Sequence, residues 1–334
     1  MIECCDRDTT IAALMRALPY IRLYRGKVFV LKVSGAICGD QAALRNLVEQ
    51  ASVLRELEIR VVIVHGGGPQ TTALSEKLGL GTTFVEGRRV TCEKTLEVAV
   101  MTLNGSVNTA ILSACRAVDM PAVGLCGLDA GLFRVARRPP QVKEVNGARA
   151  TVDYGLVGDI VSVDVTLLER LLDSAMVPVV SPLSADDSGQ VLNVNADTVA
   201  SAIARGMRAE KLIFLLDAPG LLEDKANPSS LVSYTDVRGL EALKARGAID
   251  SGMLPKIAAA IEALRGGVRR VHMVGYRSRA SPLVEIFTNE GAGTLIVTDT
   301  RELLPAEKAA TPAPTADPAG AAGTADAAAT HHAV

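Results

Sequence analysis

Four short segments place lysines, glycines and an Asn/Asp pair where apolar runs give way to helical ones. They are Lys32-Val33-Ser34-Gly35, His65-Gly66-Gly67-Gly68-Pro69, Asn193-Val194-Asn195-Ala196-Asp197 and Ser251-Gly252-Met253-Leu254-Pro255-Lys256. The second is the most informative, because it follows the apolar run Val61-Val62-Ile63-Val64 and precedes Gln70-Thr71-Thr72-Ala73-Leu74, which reads as a helix. Three glycines at a strand-to-helix turn leave backbone N–H groups bare. Proline suits the first helical turn, where its missing N–H would lack a partner anyway. Bare N–H groups and the helix dipole together attract an anion such as phosphate. Phosphoryl transfer needs fixed cations and N–H donors around a group whose negative charge spreads over its oxygens, and these four segments supply them.

Each piece also has a purely structural reading. Lys32 suits a strand-end side chain that snorkels to solvent, Asn195 or Asp197 suits a helix N-cap, and a Gly-rich turn needs no ligand. Lys256, just after Pro255, opposes the dipole of its helix unless an anion binds there. Taken together on one alternating strand–helix pattern, the four favour a phosphoryl site. No G-x-x-x-x-G-K-[ST] occurs, so the turn is not of the Walker type.

The elements that must position these groups read as strands over 27–33, 60–64, 122–125, 177–181, 211–216 and 270–274. Helices read over 41–57, 70–78, 93–118, 165–174, 196–207 and 253–265. Such alternation predicts a parallel sheet with helices on both faces. Between 131 and 163 the rhythm changes to short pieces split by Pro139-Pro140, Asn146-Gly147 and Gly155, read as hairpins forming a lid over one edge. The expected organisation is an N-terminal helix in 1–25, lobes over 26–190 and 191–302 that share one sheet, and a tail over 303–334. From about Ala306 the tail is rich in Ala, Thr, Pro and Gly and reads as disordered. The helix over 11–18 either packs on its own domain or is offered to another subunit.

The chain has 334 residues and a net charge of −2 with acids and bases interleaved, so nucleic acid is not an expected partner and a small molecule is. The opening Met1-Ile2-Glu3-Cys4-Cys5-Asp6 lacks the order of a signal peptide, and no apolar run approaches the ~18 residues that span a bilayer. A cytoplasmic protein without a membrane partner is expected. Six cysteines, at 4, 5, 38, 92, 115 and 126, form no C-x-x-C, and His65, His272, His331 and His332 fit no zinc spacing. Reduced thiols and no bound metal are expected.

A wider set of motifs is ordered along the chain: Val28-Phe29-Val30-Leu31-Lys32, His65 to Gln70, Phe84-Val85-Glu86-Gly87-Arg88-Arg89-Val90-Thr91, Asn193 to Asp197 with Thr198-Val199-Ala200, Leu215-Leu216-Asp217-Ala218-Pro219-Gly220, and Gly252 to Lys256. Over about 17–297 the chain thereby resembles the N-acetylglutamate kinases of the amino acid kinase superfamily. The resemblance implies a three-layer αβα sandwich with a mainly parallel central sheet, the acyl amino acid in the first lobe and ATP with Mg2+ in the second. The implied reaction is ATP-dependent phosphorylation of the γ-carboxylate of N-acetyl-L-glutamate, the second step of arginine synthesis. Lys32 and Lys256 would neutralise the moving phosphoryl, with Asp197 holding both. Gly35, Gly67 and Gly68 would supply N–H donors, Arg89 would grip the α-carboxylate, and Asn193 would read the same end. Asp217, Pro219, Gly220, Leu222, Gly252 and Met253 would form the nucleotide pocket.

Two positions depart from that family's pattern: Ser34 replaces a glycine and Cys92 an aspartate. Kinases of N-succinylglutamate or a protein-bound aminoadipate share most of these motifs, and a non-catalytic arginine- or nucleotide-binding regulator is a further alternative. A fused synthase–kinase would need another folded domain of ~150 residues, which the Ala/Pro-rich tail does not supply. Ala17-Leu18-Pro19-Tyr20-Ile21 resembles the extra helix of arginine-inhibited members, which links dimers into a hexamer. Tyr20, His272, Glu285, Gly291 and Gly293 match positions around bound arginine there. The resemblance thus implies a homo-oligomer, dimer or hexamer, with arginine as effector. On the residues alone, His272 also reads as a satisfied strand-end histidine and Glu285 as a solvated surface acid.

Overall fold

The computed structural model describes residues 7–85, 88–145, 148–224, 227, 230–247, 249, 252–277, 281–288 and 291–303. Beyond its first residue, the expected disordered tail lies outside the described residues, as do Glu86, Gly87 and Ser251 of the motifs.

The chain begins with α1 (Arg7–Tyr24), β1 (Val28–Val33), α2 (Gly35–Gly39), α3 (Gln41–Glu56), β2 (Arg60–His65), α4 (Gly68–Lys77) and the short strands β3 (Phe84–Val85) and β4 (Arg88–Arg89). One helical run then passes from α5 (Glu93–Val100) through a π-helical stretch (Met101–Val107) into α6 (Asn108–Ala117). Next come β5 (Ala122–Leu125), β6 (Phe133–Arg137), β7 (Gln141–Val145), β8 (Ala148–Val152), β9 (Gly158–Val163), α7 (Thr166–Asp173), β10 (Val177–Val180), β11 (Leu183–Ala185) and β12 (Val191–Asn193). The remainder is α8 (Ala196–Gly206), β13 (Lys211–Leu216), β14 (Tyr234–Asp236), α9 (Val237–Ala245), α10 (Leu254–Arg265), β15 (Arg270–Gly275), α11 (Ser281–Phe287) and β16 (Gly293–Val297).

Eight strands form one sheet in the order β14-β16-β15-β13-β1-β2-β10-β5, drawing on both halves of the chain. Its six strands from β15 to β5 pair in parallel, while β16 runs antiparallel to β15. Side-chain alternation along the strands divides the core. Val30, Val62, Val64, Leu212 and Phe214 pack with Leu168 of α7, Ile203 of α8, Leu240 of α9 and Ile257 of α10. Phe29, Leu31, Val61, Ile63 and Ile213 pack on the opposite face with Leu47 and Val48 of α3, Ile111 of α6 and Ile286 of α11. A sheet whose faces are both apolar and both helix-covered is the three-layer αβα arrangement.

The parallel pattern was legible because its central strands are continuous apolar runs. The expected lid is different in detail: β6 and β9 join β11 and β12 in a second sheet, while β7 and β8 form a separate hairpin. The strands β11, β12, β14 and β16 have three to five residues each and give too little periodicity to be read. Among the described residues, Glu93–Ala117 has the length and apolarity to cross a membrane. It is instead built into the fold: Leu103 packs in a small core with Leu96 and Cys126, and Ile111 and Cys115 pack against the central sheet.

Candidate active site

Because β1, β2, β10 and β13 are parallel, their carboxyl ends open on one edge, where ligands collect in open α/β sheets. Lys32 lies next to the end of β1 and, by alternation with Val30, faces α8 and α10. Its Nζ stands 2.7 Å from Oδ1 of Asp197, an ion pair buried on both sides with 5% and 4% residue exposure. The pair is a charge contact rather than a well-directed hydrogen bond, since Oδ1 satisfies no hydrogen-bond geometry. Lys256, in the first turn of α10, donates from Nζ to Asp197 Oδ2 at 3.4 Å and to the Gly252 carbonyl at 3.2 Å. Burial pushes the Asp197 carboxyl up, but the charges of Lys32 and Lys256 outweigh it and hold the group below the ordinary carboxylate range.

The capping role falls to Asn195, whose Oδ1 accepts from Asp197 N at 2.9 Å and Thr198 N at 3.1 Å. Asp197 is thereby left to the two lysines.

The glycine turn lies beside this pair. Gly66 N donates to Val33 O at 2.9 Å, tying the ends of β1 and β2 together. A Cβ on Gly67 would stand 2.6 Å from Leu103 Cδ2, and one on Gly35 would stand 2.7 Å from Pro69 Cδ. Among the described residues, the N–H groups of Gly35, Gly67 and Gly68 donate to no protein acceptor. They are thus the bare donors expected of an anion site.

A cleft of about 220 Å³ joins Lys32, Gly67, Gly68, Arg89, Asn193 and Asp197. Arg89 Nη2 donates to Gly68 O at 3.0 Å and Thr72 Oγ1 at 2.7 Å, while its guanidinium lies 4.7 Å from the centre of the Phe84 ring. Its Nη1 is buried and has no partner among the described residues. One prong of the fork is anchored and the other is left unsatisfied at the cleft that Arg89 lines, and a guanidinium fork in that state suits a carboxylate. Asn193 is steadied by a 3.4 Å bond from Nδ2 to Thr91 Oγ1.

The expected nucleotide residues lie farther along the same edge. Asp217 follows β13 and pairs with Arg277 at 3.3 Å, and Pro219 O accepts from Gly275 N at 3.1 Å. Gly220 packs against Thr294 and Leu231, and Leu222 bridges to Leu231. Gly252 and Met253 lead into α10, with Met253 as its N-cap.

The remaining expected residues form a separate buried cluster. His272 Nδ1 lies 2.7 Å from Glu285 Oε1, and Glu285 Oε2 accepts from Ala292 N at 2.6 Å and Gly293 N at 3.0 Å. Gly291, at φ 62°, leaves Glu285 Oε2 just 3.3 Å from where its Cβ would be. Glu285 is buried, contrary to the reading of a solvated acid, and His272 sits inside β15 rather than at its end. Lys211 Nζ stands 2.8 Å from His272 Nε2 and 5.0 Å from the Tyr24 ring, which stacks on Tyr20. Burial and the Lys211 charge push His272 down to about 4, so the ring is neutral at pH 7.

Lys211 was missed by sequence reasoning, although a lysine opening the fully buried run Lys211-Leu212-Ile213-Phe214 was a signal. Arg138 was also missed. It lines the cleft, pairs with Asp159 and lies 5.5 Å from the Tyr154 ring, and the Pro-rich sequence after it hid it in an apparent loop. The two departures have structural explanations. Ser34 has φ −72° and ψ 154°, a backbone open to any residue, and Cys92 occupies the N-cap of α5, where an aspartate would cap the helix.

The sequence pattern of the amino acid kinase family matches residues 27–275. The chain belongs to the amino acid kinase family. A member from Myxococcus xanthus, named acetylglutamate kinase, is 45% identical over 86% of this chain and 94% of its own length. Among solved structures, this amino acid kinase is similar to N-acetylglutamate synthase from Neisseria gonorrhoeae complexed with coenzyme A and N-acetyl-glutamate. That likeness has TM-score 0.74 and 26% identity over 86% of this chain and 63% of the synthase, so the chain spans less than two thirds of the synthase's length. The same synthase complexed with coenzyme A and L-arginine gives TM-score 0.73 and 26% identity, over 86% and 65% of the two chains.

In this amino acid kinase, Asp197→Asn would leave Lys32 and Lys256 without their shared counter-charge. Loss of one member of a buried ionic group costs about 3–5 kcal/mol, which denaturant unfolding at neutral pH should register. A carboxyl held low in the folded state stabilises above its unfolded pKa and stops doing so as pH falls through its folded pKa. The wild-type advantage should therefore shrink only on acidification below about pH 4. An equal advantage at pH 7 and pH 2 would contradict the ion-pair assignment.

Proposed function

We propose that this chain is an acetylglutamate kinase, transferring the γ-phosphoryl group of ATP to the γ-carboxylate of N-acetyl-L-glutamate in arginine biosynthesis. The observation that carries the reading is Asp197, buried between Lys32 and Lys256 beside the bare N–H groups of the glycine turn. Arg89 Nη1 takes one oxygen of the substrate's α-carboxylate, and Asn193 reads the same end. The γ-carboxylate then meets the N–H groups of Gly35, Gly67 and Gly68, which offset its charge as it attacks. Lys32 and Lys256 hold fixed positive charge where negative charge spreads over the transferring phosphoryl, so the chain contributes positioning and electrostatics rather than a covalent step.

Asp197 stays ionised and holds both lysines. Its oxygens face those lysines, so this carboxylate would leave Mg2+ to the phosphates of the ATP substrate. Asp217, Pro219, Gly220, Leu222, Gly252 and Met253 form the nucleotide end. The first lobe, 26–190, takes the acyl amino acid and the second, 191–302, the nucleotide.

Arginine is the proposed effector, acting at Lys211, His272, Glu285 and the 291–293 turn. Glu285 supplies the anion a guanidinium needs, and α1 reaches the cluster through Tyr20 and Tyr24. Ile11, Leu14, Met15 and Leu23 of α1 are exposed apolar side chains, suited to joining subunits into a hexamer.

Coupled ADP release with N-acetyl-, N-succinyl- and free glutamate should show clear preference for the N-acetyl substrate. Lys32→Ala and Lys256→Ala should each lower kcat by roughly 10²–10³, and near-native turnover in the double variant would refute the phosphoryl site. Arg89→Lys should raise KM for the acyl glutamate far more than KM for ATP, because lysine lacks the two-pronged fork; equal rises would deny Arg89 a dedicated role. Arginine should raise the substrate requirement of the full chain, whereas a chain lacking 1–22 should be an active dimer that arginine scarcely inhibits. Sedimentation of the full chain as a dimer, or indifference to arginine, would dismiss this control mechanism.

A further inference from the structure

His65 closes β2 on the face opposite Lys32, with no exposed surface. Its chemistry is fixed by Asn108, the first residue of α6. Asn108 Nδ2 donates to the Val179 carbonyl at 3.2 Å, and a carbonyl only accepts, so the orientation of the amide is settled. The same nitrogen lies 3.2 Å from His65 Nε2, which must therefore offer its lone pair. The imidazole proton is left on Nδ1, 3.0 Å from the carbonyl oxygen of Gly66. Burial pushes His65 down to about 4, against a smaller upward pull from that carbonyl, so the ring is neutral at pH 7.

In a trans peptide the C=O and the following N–H point in opposite directions. A Gly66 carbonyl drawn onto the imidazole consequently turns the Gly67 N–H away from the ring, toward the cleft that Gly67 lines. Glycines on both sides would otherwise let this peptide rotate at little steric cost. We propose that His65 is a positioning residue that latches the Gly66–Gly67 peptide, keeping the Gly67 N–H aimed at the path of the transferred phosphoryl. Asn108 in turn fixes the ring, and the π-helical stretch just before it sets where Asn108 stands. The inference rests on the kinase reading for its effect on rate, but not for its effect on peptide orientation.

Two variants test it: His65→Leu keeps bulk and removes both ring nitrogens, and His65→Asn retains an N–H near the place of Nδ1. In ADP-release assays, His65→Leu should lose about tenfold or more in kcat, with both KM values within about threefold of wild type. His65→Asn should recover kcat to within about threefold of wild type. A crystal structure of His65→Leu should show the Gly66 carbonyl swung from its wild-type direction. Native kcat in His65→Leu, equal losses in both variants, or an unmoved peptide overturns the latch. If His65→Leu does not fold, kcat and the Gly66 carbonyl in His65→Asn decide: both near wild type supports the latch, and loss of either overturns it. Wild type in the same assay tests the kinase reading separately, because the peptide's orientation can be read whether or not N-acetylglutamate is turned over.

Discussion

The arrangement hangs on one buried carboxylate. Asp197 stands between Lys32, from the central strand β1, and Lys256, from the helix α10. Removing such charges from water costs several kcal/mol per ion, so an internal ion pair contributes little net stability. Its value lies in placement: two ammonium groups on long flexible stems are held at one point without a ligand to gather them. This requires α8 and α10 to cover the same face of β1, which is what the alternation of Val30 and Lys32 achieves. Preorganised charge of this kind needs no rearrangement when an anion arrives.

Much of this was legible from residues alone. Lys32, Gly67 and Asp197 were picked out by type and context, Arg89 and the role of Asn193 only through the resemblance to the N-acetylglutamate kinases, and the structure gathers all five around one cleft. The long apolar strands and amphipathic helices were equally clear, because burial on both faces writes itself into composition. Less legible was anything that depends on contact across the fold. Lys211 gains meaning only beside His272, and Arg138 only beside Asp159 and Tyr154. Nothing local distinguishes Glu285 from a surface acid until Ala292 N and Gly293 N are seen to face it. The antiparallel β16 was hidden for a similar reason, since its five residues look the same in either direction.

The two faces of the sheet hold the glycine turn differently. On the α8 side the contacts are ionic and supply charge; on the α6 side His65 and Asn108 are neutral and supply direction. Gly66 joins the two through its bond to Val33 O. The separation keeps the positioning network free of net charge, so it can be buried without a counter-ion.

The π-helical stretch at Met101–Val107 gives the long helix an uncommon relation to chain length. A π turn carries more residues than an α turn, so it shifts the phase of everything downstream. Before it, Leu96 and Ala99 share a small core with Leu103; after it, Ile111 and Cys115 enter the core under the central sheet. Deleting one residue here would heal the helix into regular α geometry and leave α6 close to its present phase, because the π stretch holds the extra residue; deleting one from the regular turns of α5 would instead rotate α6 by about 100°. In that second case Asn108 would leave His65, and Ile111 would leave its core. The π stretch can therefore lose a residue that the flanking α-helical turns cannot, and it is a change of length in those turns that would be read at the glycine turn through Asn108 and His65.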